Sequence, residues 1–466
     1  MLISDCTIKK VKISTRMVYK MDWCGSMTDK FTGDALVSMD VLLANQGETP
    51  AEGTLRAVFT APECRGFEKT VSSRAVTLAC GEELVKMSVT IPQAALWSVW
   101  DYGTPNLYQL KLEYGEASYT CRIGLKEVAF DEKHGKWSIN RERVYLRGAV
   151  VEKEDADPVW LKEQGINAVL VKDQAVGEAF YDACDENGIL VWEGYGVSAE
   201  DMTEKGAEAA SARVVEAAER VLNHASHGVW SLEIGEAVYS GADLSNMNMA
   251  LCGVIYESLK AVDPVKPLIM RTKVQNRMES VFASERMRKL NPRTVKLPST
   301  IACVGLPGDT VSADEEAYLK WEAEYLRSHK YDPVSAIFVR NCETVRANCM
   351  KPVLVAFEPG YETENNARRV SVCAGASFTC RVWAVNDFHH GIEDVRLSWK
   401  ITSQDGRQAA GNAFRLNLNP DSAEIPDHVI FPVPEGAEGE VYTLTASLES
   451  DQELLATNSM EIAVCK

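Results

Sequence analysis

Asn167-Ala168-Val169-Leu170-Val171, a helical stretch near Ala175–Asn187, and then Gly188-Ile189-Leu190-Val191-Trp192 form the passage that decides the fold. Each flanking run is short, apolar and rich in β-branched residues, which marks a strand buried on both faces. The segment between them is long enough for a helix and too long for a hairpin turn. Strand, helix, strand in that order builds a parallel pair. The same unit recurs on either side. Upstream stand Val144-Tyr145-Leu146 and a helix around Pro158–Gln164. Downstream, Val214, Ala218, Val221 and Leu222 recur at helical spacing before the strand Gly228-Val229-Trp230-Ser231-Leu232. Met249, Cys252, Ile255, Leu259 and Val262 then share one helix face ahead of Pro267-Leu268-Ile269-Met270. Later strands read as Ser299–Cys303 and Ala336–Val339, while 272–295 is ambiguous and one strand there is short or missing. Repetition of this kind builds a parallel sheet or a (β/α)₈ TIM-type barrel over 125–351, the barrel complete or lacking a strand.

On both sides of that block the rhythm is period two. Ala35–Val41, Thr54–Phe59 and Leu107–Leu112 alternate, with turns at Asn45-Gln46-Gly47 and Ala61-Pro62-Glu63. Short strands so punctuated predict an immunoglobulin-like β-sandwich over 1–124. Alternation returns in Val353–Phe357, Phe378–Val385 and Val395–Lys400, predicting a C-terminal β-sandwich over 352–466. The length itself calls for more than one domain, at roughly 100–200 residues each.

Composition removes several classes of function. Forty-nine Lys and Arg against 67 Asp and Glu leave a formal charge of −18, a field that repels nucleic-acid backbones and anionic membranes. The N-terminus, Met1-Leu2-Ile3-Ser4-Asp5, has no basic region followed by an apolar stretch, so no signal peptide is expected. No run is long enough to span a membrane. Thirteen cysteines, an odd number, lie scattered without a CxxC pair. The spacings Cys342 to Cys349 and Cys373 to Cys380 match no zinc pattern. They read as reduced thiols of a cytoplasmic protein. His389 and His390 lack a ligand cluster nearby and read as a turn, so no metal and no cofactor is expected.

Specific motifs narrow the reading. Pro105-Asn106-Leu107-Tyr108, Leu146-Arg147-Gly148 and Phe180–Val191 resemble glycoside hydrolase family 2, the β-galactosidase, β-glucuronidase and β-mannosidase group. So do Asn223-His224-Ala225-Ser226 before Val229-Trp230-Ser231-Leu232, Val262-Asp263-Pro264, and Trp383-Ala384-Val385-Asn386-Asp387. The resemblance runs from about 10 to 460. It implies carbohydrate as substrate and retaining hydrolysis, in which two carboxylates about 5–5.5 Å apart flank the glycosidic bond. Both belong at the C-terminal ends of barrel strands.

The chain departs from the pattern at the positions that carry the chemistry. The resemblance places the acid/base Glu five residues after Trp230, behind an Asn; here Ile234-Gly235 stand in those places. Glu236 serves only if a bulge shifts it into the slot; otherwise it is a polar strand end. The nucleophile stretch is matched by Ala302-Cys303-Val304-Gly305-Leu306-Pro307, which puts Cys303 where Glu is expected. With no His or Arg close in sequence to lower its pKa, Cys303 reads as an inert, buried thiol. After the opening glycine, Ala149-Val150-Val151-Glu152 replaces the expected Asn and His. Leu170 replaces an Arg that would steady the nucleophile. The resemblance implies a leading jelly-roll domain, and the sequence reading expects the chain to start without one.

Acids remain at strand ends: Glu152, Glu154, Asp173, Glu193, Glu233 and Glu236, with Trp192, Tyr195 and Tyr239 close by. They form either a different sugar-binding site, with the aromatics as stacking faces, or a solvated acidic rim. The expected function is a carbohydrate-binding or partner-binding scaffold that has lost its catalytic carboxylates, a pseudoenzyme of carbohydrate metabolism. The alternative is a working retaining β-glycosidase using Glu236 as acid/base with a non-standard second carboxylate. A third option is a subunit completed by another polypeptide. Surface that the jelly roll covers in relatives is expected to hold a second copy of the chain or a heteromeric partner.

Overall fold

A computed structural model describes residues 5–21, 24, 27–131, 133–154, 156–173, 175–235, 245–272, 301–304, 313–330, 334–339, 349–360, 369–451 and 453–465. The first seven strands are β1 (Cys6–Met21), β2 (Met27–Asn45), β3 (Ala51–Thr60), β4 (Lys69–Leu78), β5 (Gly81–Ile91), β6 (Tyr108–Tyr114) and β7 (Ala117–Ile123). They form two antiparallel sheets, β1-β2-β5 and β4-β3-β6-β7. Alternation drives the packing. Val37, Met39, Val41 and Leu43 of β2 meet Leu55, Ala57 and Phe59 of β3 and Leu110, Leu112 and Tyr114 of β6 in one core.

A small sheet follows, made of β8 (Val128–Asp131), β9 (Lys136–Ile139) and β10 (Glu142–Val144). The chain then enters its β–α series: β11 (Leu146–Val151), α1 (Pro158–Glu163), β12 (Ala168–Lys172), α2 (Glu178–Asn187), β13 (Leu190–Val197), α3 (Glu204–Val221), β14 (His227–Ile234), α4 (Ser245–Val262), β15 (Leu268–Thr272), β16 (Ile301–Val304), α5 (Ala313–Ser328) and β17 (Ala336–Val339). Among the described residues these give one seven-stranded parallel sheet, ordered β15-β14-β13-β12-β11-β17-β16. Local signals set the helix ends. Asp157 caps α1 ahead of Pro158, and Thr203 accepts the Gly206 N–H at 3.0 Å to start α3. Gly188 ends α2 in the left-handed region at φ 69°, where an added Cβ would lie 2.8 Å from the Trp100 nitrogen. The helices bury Val214, Ala218, Ile255 and Leu259 against the outer face of the sheet.

Eight further strands close the chain: β18 (Val353–Pro359), β19 (Arg369–Cys373), β20 (Ser377–Asn386), β21 (Ile392–Ser403), β22 (Gln408–Leu418), β23 (Ser422–Pro432), β24 (Val441–Glu449) and β25 (Leu454–Cys465). They pair as β18-β20-β23 and β19-β25-β24-β21-β22 around one apolar core. The protein is therefore multidomain and mostly β, with a parallel half-barrel sheet between two sandwiches. Among the described residues no helix is long and apolar enough to cross a membrane.

One buried ionic cluster, with only Asp421 partly exposed, ties these parts together. Arg147 of β11 donates to Asp387 at 2.8 Å, to Asp101, and to the carbonyls of Gly165 and Met350. Arg327 of α5 reaches the same Asp387 oxygen at 2.7 Å, and Lys330 reaches the other at 3.0 Å and Asp421 at 2.9 Å. Burial drives the Asp387 carboxyl upward, yet Lys330, Arg327 and Arg147 together hold it well below the usual carboxylate range.

Candidate functional site

Strand alternation gives the parallel sheet two faces with different fates. One face carries Leu146, Val150, Ala168, Leu170, Leu190, Trp192, Val229, Ala336 and Phe338, which pack with Trp97, Trp137 and Ile139 into a second core. Trp192 lies 5.1 Å from Trp137 and 5.4 Å from Phe338. Gly148 makes room for the Phe338 ring, because a Cβ there would sit 2.1 Å from Phe338 Cδ1. This inner face is thus filled near the N-terminal ends of the strands.

Toward the C-terminal ends the same face turns polar. Gly194 and Gly196 of β13 let neighbouring side chains of β12, β14 and the turn after β12 approach the strand closely. A Cβ on Gly194 would lie 3.2 Å from Ser231 Oγ, 3.3 Å from Glu233 Cγ and 3.3 Å from Leu170 Cδ1. The Ser231 hydroxyl donates to Glu233 at 3.1 Å, and the register sets Glu233 beside Arg271 of β15. Asp173 follows β12 at φ 49° and accepts the Gly196 N–H at 2.7 Å. At the rim Lys172 pairs with Glu152 at 2.9 Å. Glu152 and Asp173 are exposed, and Glu233 and Lys172 are half-buried. Among the described residues the mouth therefore offers acceptors and the Lys172 ammonium, groups suited to hydrogen-bonding a polyol.

Three of the sequence-derived candidates fall elsewhere. Glu193, at 0% exposure, points into the strand–helix layer and accepts the Tyr181 hydroxyl at 3.0 Å. Tyr195 stacks on Trp230 in that layer, ring centroids 6.1 Å apart, and Trp192 belongs to the filled inner core. As placed, none of the three presents a surface to a sugar. The physical reason is that β13 runs on to Val197, so these are mid-strand residues. Glu236 lies outside the described residues. Cys303 occupies a backbone position on β16 in register with Phe338, and its side chain lies outside the described part.

Asn223-His224-Ala225-Ser226 serves a structural end. Asn223 accepts the Ile13 N–H at 3.0 Å and donates to the Val11 carbonyl at 2.8 Å, docking β1 on the parallel domain. His224 Nδ1 meets Asp185 at 2.9 Å, and its ring stacks on Tyr181. Asp182, Asp185 and His224 bring ligand-type atoms within 4.8 Å of one another. Arg122 on Asp182, and the Ser226 N–H on Asp185, already engage those carboxylates. Sequence reasoning missed Lys172 and Ser231 at the mouth; alternation counted back along β14 from Glu233 would have found Ser231.

A helix-backed half-barrel, polar at the C-terminal ends of its strands and held between two sandwiches, is a carbohydrate hydrolase-like fold. Residues 26–126 match the family model described as Glycosyl hydrolases family 2. A Formosa agariphila protein with a provisional β-glucuronidase name is 31% identical over 195 residues, 35% of this chain and 18% of that protein. A β-galactosidase of Lactobacillus delbrueckii subsp. bulgaricus is 28% identical over 201 residues, 36% of this chain and 19% of the relative. The crystal structure of a β-D-mannosidase from Dictyoglomus thermophilum superposes with a TM-score of 0.70 at 14% identity, covering 98% of this chain and 66% of that one. The matched stretches thus span under a fifth of the two relatives' length. The chain is a glycoside hydrolase family 2-like protein.

Proposed function

We propose that this chain is a carbohydrate-recognising scaffold that does not hydrolyse glycosides, built as an immunoglobulin-like sandwich (1–124), a (β/α)₈ barrel (125–351) and a C-terminal sandwich (352–466). The observation that carries the reading is Leu170. It is fully buried on the inner face of β12, packed against Gly194, where the family resemblance implies an arginine that steadies the nucleophile. An apolar side chain packed there supports a mouth that no longer manages developing charge. Glu233, Ser231, Asp173 and the Lys172–Glu152 pair are the groups that would hold sugar hydroxyls. Thirteen scattered cysteines support a cytoplasmic setting.

Two measurements on the purified chain test this. On a panel of aryl β-glycosides, turnover should not exceed the uncatalysed rate, and calorimetry should detect binding of a reducing or methyl glycoside that Glu233→Gln weakens. Turnover abolished by Glu236→Gln would establish the working retaining glycosidase instead.

A further inference from the structure

The outer faces of β19 and β25 set two thiols side by side. These strands run parallel at one edge of the five-stranded sheet, in register from Arg369 opposite Glu461 to Cys373 opposite Cys465. Alternation sends Val370, Val372, Ile462 and Val464 into the sandwich core. It turns Arg369 and Cys373 outward, beside Glu461 and Cys465.

Contacts at both ends hold this register. The Arg369 guanidinium grips the Glu461 carboxylate at 2.7 and 3.0 Å. Beyond the thiols, the Ala374 N–H donates to the Cys465 carbonyl at 3.3 Å, and the Ala376 N–H to that of Cys373 at 3.1 Å. The two sulfurs are thereby held 3.5 Å apart and exposed, although 92 residues separate them along the chain. Neighbouring strands lie about 4.7–4.9 Å apart, within the about 4.4–6.8 Å that disulfide-linked Cα atoms span. Closing the link therefore asks for side-chain rotation and no backbone movement.

We propose that Cys373 and Cys465 are a redox-modification site, a dithiol that a low-molecular-weight disulfide such as glutathione disulfide closes into a clasp across β19 and β25. One cysteine, as thiolate, attacks the oxidant's disulfide, forms a mixed disulfide and releases one glutathione thiolate. The other, also as thiolate, attacks the protein-bound sulfur and expels the second glutathione. The protein pair loses two electrons and two protons, and the oxidant becomes two thiols. Exposed disulfides are the readily reduced, regulatory kind, so excess thiol reopens the clasp. Closed, it ties the edge strand β19 to its one neighbour in the sheet and constrains the unfolded sandwich.

The test starts from the full chain, reduced and then freed of reductant, and adds glutathione disulfide at pH 7. Samples are quenched with N-ethylmaleimide and read by intact mass and unreduced peptide maps. The first link should join Cys373 to Cys465, ahead of any link to the exposed Cys64 or Cys80. It should form at least about tenfold faster in native buffer than in denaturing urea, where chain closure must first bring the thiols together. Reduced glutathione should reverse it. Cys373→Ser and Cys465→Ser, both at exposed positions, should each stop at a mixed disulfide on the remaining thiol. The linked chain should unfold at higher urea than the reduced one, a shift that both variants lack. Separate glutathione adducts that never join, a link that forms only in urea, or a linked chain with an unmoved urea midpoint overturns the proposal.

Discussion

Asp387→Asn removes one negative charge and almost no volume from the buried cluster that joins the parallel domain to the C-terminal sandwich. Asp387 faces Arg147 at 2.8 Å, Arg327 at 2.7 Å and Lys330 at 3.0 Å, with every side chain at 0% exposure. Arg147 keeps Asp101 and Lys330 keeps Asp421 in the variant. Among the described residues Arg327 keeps only the carbonyls of Cys349 and Pro352. The net damage is therefore one buried cation left without its anion, which costs about 3–5 kcal/mol. Urea unfolding followed by tryptophan fluorescence should show that loss at pH 7. Asp394→Asn, in an exposed pair with Arg415, should leave the midpoint nearly unchanged.

The pH dependence has a definite sign. Because the folded carboxyl is held below its unfolded pKa of about 3.9, its contribution is complete above that value and drains away as pH falls below it. The gap between native and Asp387→Asn chains should be constant from about pH 5 to 7 and shrink on further acidification. A loss under roughly 1 kcal/mol at pH 7 would show the cluster to be solvated and refute the reasoning.

His224 titrates the other way. Burial disfavours its charged ring, but Asp185, Glu178 and Asp182 outweigh burial and raise its pKa. Relative to His224→Gln, the native chain should hold its full advantage below about pH 6.5 and lose it as pH rises through the folded value. Urea midpoints at pH 5.5 and 8.5 check this, and an advantage that grows with pH contradicts it. Gly148→Ala drives a methyl to 2.1 Å from Phe338 Cδ1 and should cost about 1–3 kcal/mol or more by overpacking. Adding Phe338→Leu should recover part of the loss in thermal melts, and strict additivity of the two changes would deny the contact.

The β–α rhythm was legible because buried parallel strands are continuous apolar runs. Ala336–Val339 is bounded in the structure as in the sequence reading. α2 begins at Glu178 and not near Ala175, since Asp173 turns at φ 49° and the chain reaches Gly177 before the helix starts. Errors at the mouth share one cause. Gly194 and Gly196 disfavour a strand by propensity, so the strand seemed to stop at Trp192. They are tolerated because Ser231, Glu233, Leu170 and Asp173 crowd the space a side chain would take. That extension moved Glu193 and Tyr195 from rim to interior. The ionic cluster was illegible for a different reason. Its partners are 46, 60 and 240 residues apart, and nothing local distinguishes a buried aspartate from a surface one. Yet Leu146-Arg147-Gly148 and Trp383–Asp387, which carried the family resemblance, each supply one member of it.

That arrangement constrains the order of events on the ribosome. Arg147 is synthesised 240 residues before Asp387, a delay of roughly 10–50 s at ordinary elongation rates. Throughout that interval the guanidinium of the nascent parallel sheet has Asp101 but not Asp387, and Arg327 and Lys330 later join it. Water must stay at that point until the last sandwich arrives with Asp387 and Asp421 and expels it. The junction is therefore complete only once the last sandwich is made, and a nascent chain stalled before residue 387 should remain open to proteases at β11, the entry strand of the parallel sheet.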